Sequence, residues 1–123
     1  MGKFAGFARI AEIEFSDVVI STHDLGHKLR IYLLDKSFID FFYSVRLRNR
    51  RFAIHWERNH LDNTFYRLDN TPDPRWKKVK SFPVHFHSEK YFQVIDPPFT
   101  VSATNLKSLL RSFLEFVRFH LQT

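Results

Sequence analysis

The stretch FIDFFYSVRLR, residues 38–48, alternates apolar and polar side chains along its whole length. Successive side chains of a strand leave opposite faces, so this pattern belongs to a strand with one face in a core and one in water. Ile39, Phe41, Tyr43, Val45 and Leu47 form the apolar face. Asp40, Ser44, Arg46 and Arg48 form the other, with Phe42 as the exception. A tight turn at Asn49-Arg50 leads into RFAIHWE, where Phe52, Ile54 and Trp56 alternate with Ala53, His55 and Glu57. A second turn, Asn59 to Asn63, leads into TFYRLDN, where Tyr66 and Leu68 stand opposite Phe65, Arg67 and Asp69. Parallel neighbours need a crossover of about a dozen residues or more. Turns this short predict consecutive antiparallel hairpins.

The flanking segments extend the pattern. IAEIEFSDVVI, residues 10–20, is expected to be a strand, or a strand with an irregular start. The turn THDLGHK follows, with Gly26 as its pivot, and KLRIYLL, residues 28–34, predicts a strand. TPDPRWKKVK, residues 71–80, carries two prolines and four basic residues and predicts a loop. SFPVHFH, residues 81–87, resumes an extended chain, and Pro97-Pro98 closes the sheet region. From about Thr104 to Leu121 the period changes. Leu106, Leu109, Leu110, Phe113, Leu114, Val117 and Leu121 follow helical spacing, with Ser102 or Thr104 as N-cap. Phe116 and Phe119 widen that apolar face, either for a partner such as a second copy of the chain or for the edge of the sheet. The predicted fold is α+β: an antiparallel β-meander of about five or six strands with a C-terminal α-helix packed on one face. The other face is left open to solvent or a ligand.

Residues 1–123 are expected to form a single domain, for which 15 phenylalanines supply an ample core. Nineteen Lys and Arg against 13 Asp and Glu give a formal charge of +6. Such a surface attracts polyanions, RNA or DNA first, although solubility alone would also account for it. Cysteine is absent, which removes disulfides, thiolate metal sites and cysteine nucleophiles, and a cytoplasmic location is expected. No apolar run is long enough to span a bilayer, and the start MGKFAGFARIAEIEF has no secretion signal, so no membrane association is expected.

His85 and His87 leave the same side of their strand, with Val84 and Phe86 on the other. If each apolar stripe faces the helix, the open face carries Arg46, Arg48, His55, Glu57, Arg67, Asp69, His85 and His87. Cleavage of RNA by its own 2′-hydroxyl needs a base for that proton and an acid for the leaving 5′-oxygen. Histidine serves both steps near neutral pH, and a guanidinium pairs with two phosphate oxygens. The expected roles are acid and base for His85 and His87, phosphate stabilisation for Arg67, and orientation for Asp69 and His55. Arg46, Arg48, Trp76, Lys77 and Lys78 are expected to touch substrate, Trp76 by stacking on a base. A His-x-His pair can also chelate a metal, with His55 or Asp69 as third ligand. No ligand cluster of recognised spacing accompanies it, so no metal or cofactor is expected. Two simpler readings remain: histidines that are ordinary polar residues of a half-exposed strand, and an Arg67–Asp69 surface ion pair.

Three segments, RFAIHWE, FYRLDNTPDP and SFPVHFH, together resemble the TumE-like toxins of prokaryotic type II toxin–antitoxin systems. The matching elements are His55-Trp56, then Arg67 with Asp69, Asn70 and Pro72, then Phe82-Pro83 with His85 and His87. The preceding FIDFFYSVRLR is similar to the family's strand before the His-Trp pair. The chain departs from the pattern at Val84, where the family's segment carries a further histidine. The resemblance spans roughly residues 27–90 and the order of the helix after them. It implies a small single-domain toxin that is a ribonuclease, paired with an antitoxin that carries a helix-turn-helix DNA-binding domain. The competing function is a non-catalytic module that binds RNA or protein through a basic sheet face, and a third is a structural subunit held through Phe116 and Phe119.

Overall fold

The computed structural model describes residues 2–46, 49–102 and 104–123. Among them lies one seven-stranded antiparallel sheet: β1 Val19–Asp24, β2 Leu29–Leu33, β3 Phe38–Arg46, β4 Asn49–Arg58, β5 Thr64–Asp69, β6 His85–Glu89 and β7 Val94–Ile95. Each strand pairs with the next in sequence, so the meander expected from the short turns is present. Strands number seven rather than five or six, because β7 is a two-residue strand, too short to show any period. A single helical turn, α2 Asn59–Asp62, joins β4 to β5, and Asn63 after it takes a left-handed backbone at φ 61°. β4 already begins at Asn49, which pairs with Arg46, so Asn49 and Arg50 stand in a strand and not in the turn expected there. Leu47 and Arg48 lie outside the described residues.

Two helical layers cover one face of the sheet. The C-terminal helix, α3 Leu106–Gln122, buries Leu109, Leu110, Phe113, Leu114 and Val117. Phe116 packs edge-on against Trp56 and Phe86, with ring centroids 6.3 and 5.6 Å away. Phe119 stays 69% exposed, so the two aromatics expected to share a role are separated by the helix itself. The N-cap is neither Ser102 nor Thr104. Asn105 holds it, its side chain accepting from the Ser108 N–H at 3.0 Å, while Ser102 Oγ accepts one step earlier from the Asn105 N–H. Asn105 is the residue with extended backbone directly before the first helical position, which is where a cap must stand.

The N-terminal segment corrects the sequence reading. Residues 10–20 do not open as a strand. A short α-helix, α1 Ala5–Arg9, runs into a π-helical turn over Ile10–Glu14, and β1 starts only at Val19. Phe4, Phe7, Ile10, Ala11 and Phe15 recur at helical spacing, and all are buried. A window that begins at residue 10 cuts this stripe in half and hides its period. Phe4 and Phe7 close over Phe41 of the sheet, with centroids 6.1 and 4.8 Å away. The apolar face of every central strand is thus sealed: Ile31, Ile39, Phe41, Ile54, Trp56, Leu68 and Phe86 are each no more than 1% exposed. Val84, at the departure from the family pattern, is also buried in this core. No helix among the described residues is long and apolar enough to cross a membrane.

Candidate active site

With one face sealed, the register fixes what meets on the other. His55 pairs with Arg67 and Arg67 with His87, so one row runs across β4, β5 and β6. Two residues along, Asp69 pairs with His85. Strands are about 4.8 Å apart and the side-chain period is two, so these five residues share a face and lie within a few ångströms of their row neighbours.

The face is not open at this end. His85 and His87 are only 3% and 2% exposed, which overturns both the expected open face and the reading of ordinary surface histidines. The covering comes from two loops. A 3₁₀ turn, Pro74–Trp76, brings the Trp76 indole edge-on to the His87 ring, 5.9 Å between centroids. The turn between β6 and β7 stacks Tyr91 on His87, at 5.0 Å and 16°, and Tyr91 meets Trp76 edge-on at 6.2 Å. Arg75 ties the two loops together. It donates to both Asp73 (2.6 Å) and the Tyr91 hydroxyl (2.7 Å), and its guanidinium lies over the Trp76 and Tyr91 rings. That bond to Arg75 takes the Asp73 carboxyl down to about 2. The result is a pocket of about 220 Å³ lined by Arg67, Asp69, Trp76, His85, His87 and Tyr91, with Thr71 and Asp73 at its lip.

The two imidazoles lie 5.0 Å apart between centroids, nearly perpendicular, in different chemical states. His87 Nδ1 sits 2.7 Å from the Tyr91 carbonyl. A carbonyl can only accept, so Nδ1 carries the proton and Nε2 keeps its lone pair. Burial pushes the His87 pKa down, opposed by the Tyr91 bond and helped by the charge of His85. His85 Nδ1 faces the Pro83 carbonyl at 3.1 Å, while its Nε2 is 3.1 Å from Asp69 Oδ1. Both partners are acceptors, so the ring is an imidazolium. Burial works against that charge, but the hydrogen bond and the charge of Asp69 outweigh it and the His85 pKa rises. Asp69 in turn accepts from Arg67 Nε (3.1 Å), His85 and the Thr71 N–H (3.0 Å). Burial alone would raise its pKa, and these donors lower it. The carboxylate is therefore no exposed ion pair: it is 7% exposed and accepts three bonds.

Arg67 spends its Nε on Asp69, and among the described residues its terminal nitrogens have no partner. Its side chain is 38% exposed at the pocket mouth. His55 lies on the far side of Arg67 from the histidine pair. Its Nε2 is 2.9 Å from Glu57, its ring stacks on Phe65 at 5.2 Å, and its Nδ1 is buried without a partner. Burial lowers its pKa, against the pull of Glu57. Lys77 and Lys78 are exposed on the loop just past Trp76. Arg46 stands at the end of β3, and Arg48 lies outside the described residues. Sequence reasoning missed Tyr91, Arg75 and Asp73. The available signal was a pair of aromatics, Trp76 and Tyr91, set in polar loops with no core of their own to join.

Asp69, His85 and His87 each offer a ligand atom, and these atoms lie within 4.8 Å of one another. A metal there would have to break the His85–Asp69 bond and take up His85 as the neutral form.

The sequence pattern of the family described as Toxin TumE matches residues 5–121. The chain belongs to the TumE toxin family. The match extends the resemblance of residues 27–90 to both helical layers, so the N-terminal helix and α3 are part of the family's domain. Nothing among curated proteins or solved structures matches the chain. As a TumE toxin it has an antitoxin as partner.

Proposed function

We propose that this TumE toxin is a metal-independent endoribonuclease whose acid and base are the two buried histidines. One observation carries the reading: a single pocket holds an imidazole with a free Nε2 lone pair beside an imidazolium held by a carboxylate. Neighbouring titratable groups driven apart in this way mark a base and an acid. His87 Nε2 takes the proton of the 2′-hydroxyl. The 2′-oxygen attacks phosphorus and the bond from phosphorus to the 5′-oxygen breaks. His85 supplies the proton to that leaving oxygen, its Nε2–H passing from Asp69 to the substrate. The products are a 2′,3′-cyclic phosphate and a 5′-hydroxyl. The terminal nitrogens of Arg67 hold the phosphate oxygens as charge builds on them. Trp76, Lys77 and Lys78 border the entry for the RNA strand. The antitoxin, of the helix-turn-helix class, neutralises the toxin by covering this mouth in the cytoplasm.

The test is incubation of the purified toxin with a long RNA in EDTA. Cleavage with 2′,3′-cyclic phosphate and 5′-hydroxyl ends is expected. Tight, salt-dependent binding that leaves the RNA intact would replace the enzyme by a binding module with a basic face. Cleavage lost in chelator and restored by a divalent cation would assign Asp69, His85 and His87 to a metal.

A further inference from the structure

Phe42 breaks the alternation of β3 and stands on the polar face of the sheet. The other aromatics of β3 all pair with rings: Phe38 with His60, Phe41 with Phe7, Tyr43 with Phe4. Phe42 pairs with none among the described residues and is 37% exposed. A lone exposed aromatic is ordinary. The surroundings of this one are not. Phe42 pairs in register with Ala53, Ala53 with Asp69 and Asp69 with His85. The small Ala53 side chain leaves space beside the phenyl ring, and a second pocket of about 340 Å³ opens there. His27, Lys28, Asp40, Phe42, Ala53, His55 and Arg67 line it. Arg67 lines the histidine pocket as well, so the two cavities adjoin across one guanidinium.

We propose that this second pocket is a nucleobase subsite for single-stranded RNA, in which Phe42 stacks on the base of a nucleotide next to the scissile bond. The inference rests on the ribonuclease reading of the adjoining pocket and adds the substrate class. A phosphate at Arg67 places the flanking base on the Phe42 side, because the histidines occupy the other. Stacking on a ring needs a base freed from its duplex, so paired RNA is excluded from the subsite. Of the groups that could read a base edge, Asp40 and the Nε2 of His55 are already engaged. Asp40 accepts from Lys28 at 2.8 Å and from Arg30 at 2.8 and 2.9 Å, and His55 is bonded to Glu57. Stacking itself tolerates any base, so the subsite selects strand state.

The test compares wild type, Phe42→Ala and Phe42→Trp in binding a fluorescent single-stranded oligonucleotide, 2′-O-methylated so that it cannot be cleaved, and the same sequence closed in a duplex. Phe42→Ala is expected to weaken single-strand binding by about 5- to 150-fold, the loss of one base–aromatic stack. Phe42→Trp restores it, and duplex binding does not change. Equal single-strand affinity for Phe42→Ala and wild type overturns the subsite, while cleavage by both would leave the nuclease reading standing. Affinity lost in Phe42→Ala and regained in Phe42→Trp, in a wild type that cleaves no RNA, keeps the subsite and overturns the acid–base reading. A wild type that binds no single strand overturns both.

Discussion

Replacing His87 by alanine is expected to lower RNA cleavage by about 10²- to 10⁴-fold, the contribution of one positioned general base. The Nε2 lone pair is the group removed, and no neighbour can substitute for it: His85 is committed to Asp69 and Pro83. Because His87 is buried, a cavity follows the substitution, and a structural loss must be told from a chemical one. Two further measurements do this. Binding of a 2′-O-methylated RNA should stay near the wild-type value in His87→Ala. Free imidazole, which fits the vacated space beside Tyr91 and Trp76, should restore part of the rate. Normal cleavage by a folded His87→Ala protein would remove this histidine from the mechanism.

The pH profile follows from the same assignment, with the signs opposed. The base must be neutral, and the His87 pKa is lowered from 6.5 by burial, so the rate falls only on the acid side of that value. The acid must be charged. Burial lowers the His85 pKa, but the bond and charge of Asp69 together with the Pro83 carbonyl more than reverse it, so the rate falls only on the alkaline side of 6.5. A bell that straddles 6.5 is the wild-type expectation. Asp69→Asn removes the carboxylate that keeps His85 protonated, and its alkaline limb moves towards lower pH.

Replacing Arg67 by alanine is the second large effect, a loss of about 10²- to 10³-fold in turnover, as for removal of one preorganised donor to a transition-state oxyanion. The Arg67 side chain lines both pockets, and only its Nε is bonded to Asp69 among the described residues. Asp69 keeps His85 and the Thr71 N–H when Arg67 is gone, so its charge stays partnered and the fold survives. Lysine at position 67 should recover only part of the rate. It restores a point charge but not the paired donors that match two phosphate oxygens. Steady-state kinetics on one RNA, with thermal melting as the control for folding, checks this. A Lys variant that equals wild type would reduce Arg67 to general electrostatics.

How far the sequence discloses this site depends on which residues are asked. The company of Arg67, Asp69, His85 and His87 was legible from parity, because Tyr66 and Leu68 on one strand and Val84 and Phe86 on the other turn to the core and leave all four on the opposite face; the direct pairing of the two strands across the loop of residues 70–84 was not. The chemical states of the two imidazoles were not. They depend on the carbonyls of Tyr91 and Pro83 and on a roof that exists only once Arg75 bonds to Asp73 and Tyr91. Those residues sit in loops, where no period reports direction. His55 shares the row but not the pocket, since parity places it on the face and Arg67 stands between. The first helical layer was missed because the Phe4, Phe7, Ile10 stripe begins before the segment taken as a strand. β7 is too short for any pattern to reveal.

The proposed chemistry requires one pocket to hold a neutral and a charged histidine at the same pH, poised as base and acid. NMR titration of the ring C–H resonances of the RNA-free protein, assigned with His85→Gln and His87→Gln, measures this directly. The expected midpoints lie above 6.5 for His85 and below 6.5 for His87. Midpoints that coincide, or that stand in the reverse order, would contradict that chemistry.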